Sequence, residues 1–190
     1  LTVRARLVPL FFPILQKGFL QKIHAGGSLR ELLSDQFGLS QEYIESRIQT
    51  IFLDGKPVDD LDKATVRDGT SLALSSAMPG VLGASLRRGG YYSGMRSQIT
   101  HVEKPESPRQ ADGQITVKLF NLTIRELGPL FLERGVWMDT EDARDFFRSL
   151  PQDWAEGCVE ATLDGSGIDP AMLPSREFTA GQVHVQLQTA

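Results

Sequence analysis

The segment Arg87-Arg88-Gly89-Gly90-Tyr91-Tyr92-Ser93-Gly94-Met95-Arg96 gathers three arginines and two tyrosines with no acid among them. Guanidinium groups pair with phosphates or carboxylates, and aromatic rings stack on bases or fill pockets. The composition therefore suits contact with single-stranded nucleic acid or another anionic ligand, or the anchor of a protein interface. A glycine-rich linker packed on its neighbours is the plain alternative. Arg87, Arg88, Tyr91, Tyr92 and Arg96 are the candidate contact residues. Leu10, Phe11 and Phe12 join them from the run Leu7-Val8-Pro9-Leu10-Phe11-Phe12-Pro13-Ile14-Leu15, which is more apolar than one strand and loop of a small domain can readily bury. That run is expected to pack against the second unit, to form a homodimer contact or to dock another protein.

Other reactive side chains are scattered. Cys158 is the only cysteine, so there is no intrachain disulfide framework and no cysteine cluster for structural zinc. A lone cysteine with no basic neighbour reads as a small buried hydrophobe. His24, His101 and His184 have no partner at metal-ligand spacing, and no metal site is expected. Asp164-Gly165-Ser166-Gly167-Ile168-Asp169 lacks the closing glutamate of a calcium loop and reads as a turn. Phosphate loops, dinucleotide fingerprints and nucleophile elbows are all missing. The expectation is a protein that is not an enzyme and carries no cofactor.

The elements that position these residues must come from 190 residues, 41% apolar and 23% charged, which is ordinary globular composition. A net charge of -4 argues against a dedicated nucleic-acid binder. Residues 1 to 110 hold 14 basic and 11 acidic side chains, whereas 111 to 190 hold 6 and 13. Such asymmetry lets the halves attract each other or different partners. The longest apolar run is about half the roughly twenty residues of a membrane span, and Leu1 to Arg6 has no signal-peptide pattern. A cytoplasmic protein that does not cross a membrane is expected.

The halves repeat. Leu1-Thr2-Val3-Arg4-Ala5-Arg6 aligns with Ile115-Thr116-Val117-Lys118-Leu119-Phe120, and the same offset carries Leu29-Arg30-Glu31-Leu32-Leu33 onto Ala143-Arg144-Asp145-Phe146-Phe147. Phe52-Leu53-Asp54-Gly55 recurs as Thr162-Leu163-Asp164-Gly165, and 68–74 finds a looser echo in 180–187. Each half reads as strand (Val3, Ala5, Leu7; Val117, Leu119), strand (19–24; 135–138), helix, strand (48–53; 159–163), Asp-Gly turn and final strand (71–74; 182–187). Ser28 and Glu31 have capping-box spacing, with Leu29, Leu32, Leu33 and Phe37 on one face. Asp139 or Thr140 caps the second helix, and Pro151 ends it. The boundaries predicted are 1–79, an 80–113 linker and 114–190.

This order is similar to the β-grasp fold of ubiquitin and the ThiS/MoaD sulfur carriers. Val117-Lys118-Leu119-Phe120 before Thr123-Ile124-Arg125-Glu126-Leu127-Gly128, and Phe52 to Val58 before Asp68-Gly69-Thr70-Ser71-Leu72, resemble the first strand and late hairpin of MoaD-like proteins. The resemblance implies an α+β protein of two β-grasp units, each a mixed sheet with one main helix. It also implies a ubiquitin-like, non-enzymatic module that binds protein partners. Carriers of this family end in a free Gly-Gly, whereas this sequence ends Gln188-Thr189-Ala190. Leu86-Arg87-Arg88-Gly89-Gly90 resembles the ubiquitin tail. A second reading is therefore a pro-form carrier or modifier, cleaved after Gly90 and handled by an activating enzyme or sulfurtransferase. Arg87, Arg88, Gly89 and Gly90 would form its tail.

Overall fold

The computed structural model describes residues 1–76, 80–90 and 111–190. Helices and mixed sheets make an α+β protein. Two compact units form, Leu1–Phe19 with Arg125–Ala190, and Leu20–Ile124. The division expected from the repeat, at 79/80 and 113/114, does not coincide with this one.

The chain opens with β1 (Thr2–Val3), where the alternation Val3, Ala5, Leu7 had suggested a longer strand. Instead the backbone turns into a 3₁₀ segment, Ala5–Phe11, and then α1 (Phe12–Lys17). Leu7, Val8, Phe11, Ile14 and Leu15 are all buried. Their spacing of one, three and four residues is that of a helical face, which takes precedence over the short alternation. Pro13 sits in the first turn of α1, where its missing N–H is not needed.

Next come β2 (Phe19–Ala25), α2 (Leu29–Glu31), which continues as a π-helical turn over Leu32–Gln36, and α3 (Gln41–Ser46). The capping box at Ser28 forms as its spacing predicts: Glu31 N–H donates to Ser28 Oγ at 3.2 Å, and Ser28 N–H to Glu31 Oε2 at 2.8 Å. Then follow β3 (Thr50–Leu53), β4 (Lys56–Pro57), β5 (Ser71–Ser75), α4 (Gly80–Leu86) and β6 (Ala111–Phe120). The Asp54-Gly55 turn joining β3 to β4 has φ of 50° and 75°, the left-handed pair that a two-residue hairpin requires.

Strands of the second unit lie in the order β2-β6-β5-β3-β4. β6 runs parallel to β5, from Ser71↔Thr116 to Ser75↔Phe120, and β3 is antiparallel to β5. Ile51, Leu53, Leu72, Leu74, Val117 and Leu119 alternate inward and are buried with Leu29, Leu32, Leu33 and Ile44 of the helices. Residues on the other side of the pleat, Phe52, Ala73 and Lys118, are half-exposed.

The rest of the chain forms α5 (Leu122–Arg134), β7 (Val136–Asp139), α6 (Thr140–Ser149), β8 (Cys158–Glu160), β9 (Thr162–Leu163), β10 (Ser166–Gly167), β11 (Gln182–Val185) and β12 (Gln188–Thr189). Asp139 takes the N-cap position of α6 without a side-chain bond, and the Thr140 hydroxyl donates to the Ala180 carbonyl. In the first unit β11 is antiparallel to β7, and β1 lies between β12 and β8. Phe11 and Phe146 meet at 5.3 Å between ring centres, and Phe19 and Phe131 at 5.1 Å, within a core otherwise made mostly of aliphatic side chains. Gly128 lets α5 approach α1: a Cβ there would meet Leu15 Cδ1 at 2.8 Å.

The pairing of β1 and β6 explains the division into units. These strands are counterparts in the sequence repeat. β6 lies parallel to β5 of the first half, and β1 lies parallel to β12 at the end of the second, pairing Thr2 with Gln188 and Val3 with Thr189. Each half of the sequence thus receives the leading strand of the other.

Candidate functional site

α4 ends at Leu86, and the following turn returns the backbone to the second unit. Four polar contacts hold it there. Arg88 N–H donates to the Gln49 carbonyl at 2.8 Å and Gly89 N–H to Asp59 Oδ1 at 3.3 Å. Arg88 Nη2 donates to the Ile44 carbonyl at 2.8 Å and to Glu45 Oε2 at 3.1 Å. Only 10% of the Arg88 side chain is exposed. Gly89 has φ of 61°, a region that costs an ordinary side chain about 1 kcal/mol or more. A Cβ on Gly90 would crowd the Arg87 carbonyl at 3.1 Å.

The socket is prepared by its neighbours. Ser40 caps α3 by accepting from Tyr43 N–H at 3.2 Å, which starts the helix whose last turn presents Ile44 and Glu45. Arg30, one residue into the capped α2, binds Asp62 with two bonds, 2.6 and 3.1 Å, and Glu45 Oε1 at 3.0 Å. Glu45 therefore bridges two arginines, one oxygen to each. Burial pulls the Arg88 guanidinium below its ordinary range, opposed by the Glu45 charge. Hydrogen bonds to Asp62 and then Glu45 push Arg30 upward. Both cations stay charged at neutral pH. Asp60 shapes the adjoining loop by accepting from the N–H groups of Asp62 and Lys63.

The residues singled out from the sequence fare differently. Arg88, Gly89 and Gly90 form this docked turn, and Arg87 is exposed beside it. Tyr91, Tyr92 and Arg96 lie outside the described residues. Phe11 has no accessible surface and belongs to the core rather than to a docking face, while Leu10 and Phe12 are half-buried. Cys158 is half-buried, donates to the Glu160 carbonyl at 3.4 Å, and its thiol is pushed up by burial. His24 and Asp112 form an exposed pair at 2.8 Å, and His184 stacks on Trp137 with centroids 4.6 Å apart. Among the described residues no group of three His, Cys, Asp or Glu side chains could hold a metal ion, and no helix is long and apolar enough to cross a membrane.

Sequence reasoning missed Glu45 and Asp59, because nothing local marks an acid that will meet a cation 43 residues later. It also missed the outer row Phe52, Ala73 and Lys118, brought together by the β3–β5 and β5–β6 registers. An aromatic at the outward position of an alternating strand was the available signal. No family model matches the chain, and neither a curated protein nor a solved structure does.

Proposed function

We propose that this chain is a non-enzymatic protein-interaction module of the ubiquitin-like, MoaD/ThiS-like class. In this reading the second unit is a β-grasp whose central strand, β6, comes from late in the chain instead of from its start. The observation that carries it is the order β2-β6-β5-β3-β4 with β6 parallel to β5. A parallel central pair, an antiparallel strand beyond β5 and a helix that follows β2 fit the strand, strand, helix order of that fold. The partner surface is the outer row of Phe52, Ala73 and Lys118, half-exposed and including an aromatic ring, a residue class enriched at interfaces.

The pro-form reading requires the docked turn to open. A tail cleaved and activated after Gly90 must first leave four polar contacts. In the anion-binding reading Arg88 must first leave Glu45.

The test places a photo-crosslinking residue at Phe52 in the full chain, irradiated in extract of the native cell. A discrete adduct that disappears with Lys118→Glu supports the proposal. Labelling no greater than from a control crosslinker at Thr162, in the first unit, rejects it, as does turnover of a small substrate abolished by one point substitution.

A further inference from the structure

The contacts made by Arg88 and Gly89 have the form of ligand recognition. A guanidinium is enclosed by a helix-end carbonyl and a carboxylate, and two successive backbone N–H groups are accepted by Gln49 and Asp59. The residue after the arginine must tolerate positive φ. Both side-chain bonds leave one nitrogen, Nη2, whose directions the planar guanidinium fixes, whereas a lysine ammonium is a compact, strongly hydrated point charge without that preset geometry. A side chain larger than hydrogen at the next position would be strained. These contacts suit an Arg-Gly pair and come from α3, the turn into β3 and the loop after β4.

We propose that this socket is a recognition site for Arg-Gly segments, and that Arg88-Gly89 is an intramolecular ligand that blocks it until an Arg-Gly segment of a partner protein displaces it. The inference deepens the interaction-module reading by naming the partner's chemistry. It uses residues other than Phe52, Ala73 and Lys118, so either can fail alone. Glu45 suits an exchangeable site. It is half-exposed and is held from the other side by Arg30, so the carboxylate remains oriented when Arg88 leaves. The bound turn has the advantage of tethering, and a partner peptide must overcome the corresponding effective concentration. Occupancy is therefore conditional on partner concentration, and the site stays closed at low levels.

The experiment uses the full chain with Arg88→Ala, which empties the socket, and a fluorescent peptide of sequence Leu-Arg-Arg-Gly-Gly with both termini blocked. Anisotropy titration at low ionic strength measures binding. The proposal expects the emptied protein to bind the peptide at least about tenfold more tightly than wild type, because the tethered competitor is gone. Glu45→Gln in the emptied background should weaken binding about tenfold, the scale of one charge-assisted hydrogen bond. A peptide with lysine for its second arginine should be weakened similarly. Arg88→Lys provides the folding control, since it keeps the charge and stem while loosening the turn, and should fall between wild type and Arg88→Ala. Peptide binding that is absent from a folded Arg88→Ala protein, or indifferent to Glu45 and to the lysine peptide, overturns the proposal and leaves Arg88 as a structural clasp. A Phe52 adduct that persists in that case keeps the interaction-module reading intact.

Discussion

Replacing Thr123 by valine probes the junction where β5, β6 and α5 meet. Its side chain has no accessible surface. The hydroxyl accepts from Phe120 N–H at 3.2 Å, and its single proton is donated to the carbonyl of Phe120 at 2.7 Å or of Leu74 at 3.0 Å. The same junction is tied by Asn121 Nδ2 to Ser75 Oγ at 2.7 Å and by Leu122 N–H to Ser76 Oγ at 3.0 Å. Valine keeps the shape and removes the hydroxyl. The cost is about 1 kcal/mol for the net hydrogen bond and about 1 to 2 kcal/mol more for the polar groups left facing a methyl in the interior. For a chain of this size about 2 to 3 kcal/mol lowers Tm by about 5 to 10 °C. Thr123→Ser keeps the hydroxyl and deletes one buried methyl, for about 1 kcal/mol. Thermal melts followed by circular dichroism should rank wild type above serine and serine above valine. A valine variant as stable as the serine variant would refute the placement of Thr123 against β5.

Further consequences follow from particular contacts. Gly135→Ala should cost about 2 to 4 kcal/mol, because its φ of 95° is unfavourable for alanine and the new Cβ collides with the His184 ring stacked on Trp137. In a His184→Ala background the cost should fall by about half, and an unchanged cost in chemical denaturation would show that the ring is elsewhere. Burial raises the Cys158 thiol, so the protonated form persists to higher pH in the native chain. Its alkylation rate should then inflect at higher pH than in urea, and coincident inflections would count against the burial. A fragment of residues 20–124 contains every strand of the second unit, whereas residues 1–79 lack β6. Heteronuclear NMR should show dispersed signals for the first fragment and collapsed ones for the second, and the reverse would favour the arrangement expected from the repeat.

Local chemistry was legible where residue type dictates geometry. Ser28 and Glu31 announced their capping box, the two Asp-Gly pairs their turns at positive φ, and the patterns of 19–24, 48–53 and 71–74 their strands, the second of which starts at Thr50. Only one helix per half was expected, so α1, α3, α4 and α5 were not anticipated. In α1 and α5 apolar residues recur at helical spacing around Pro13 and around Gly128-Pro129. Burying Phe11 beside Phe146 and packing Gly128 against Leu15 outweighs the local penalty. Strand partnership was not legible. Val117 and Leu119 alternate in the same way whether β6 lies beside 71–75 or beside 182–187, because alternation specifies the buried face and leaves the neighbour open. The same limit hid the Arg88 socket, whose acceptors come from segments far away in sequence.

Cross-strand proton contacts in the full-length chain test the exchange of β1 and β6 most directly. Nuclear Overhauser spectra should show β6 amide and α protons close to those of β5 in the parallel register Leu72↔Val117 and Leu74↔Leu119, with Val3 close to Thr189. Contacts of residues 115–120 with 182–187, together with contacts of residues 2–7 with 71–74, would contradict it and restore two tandem units.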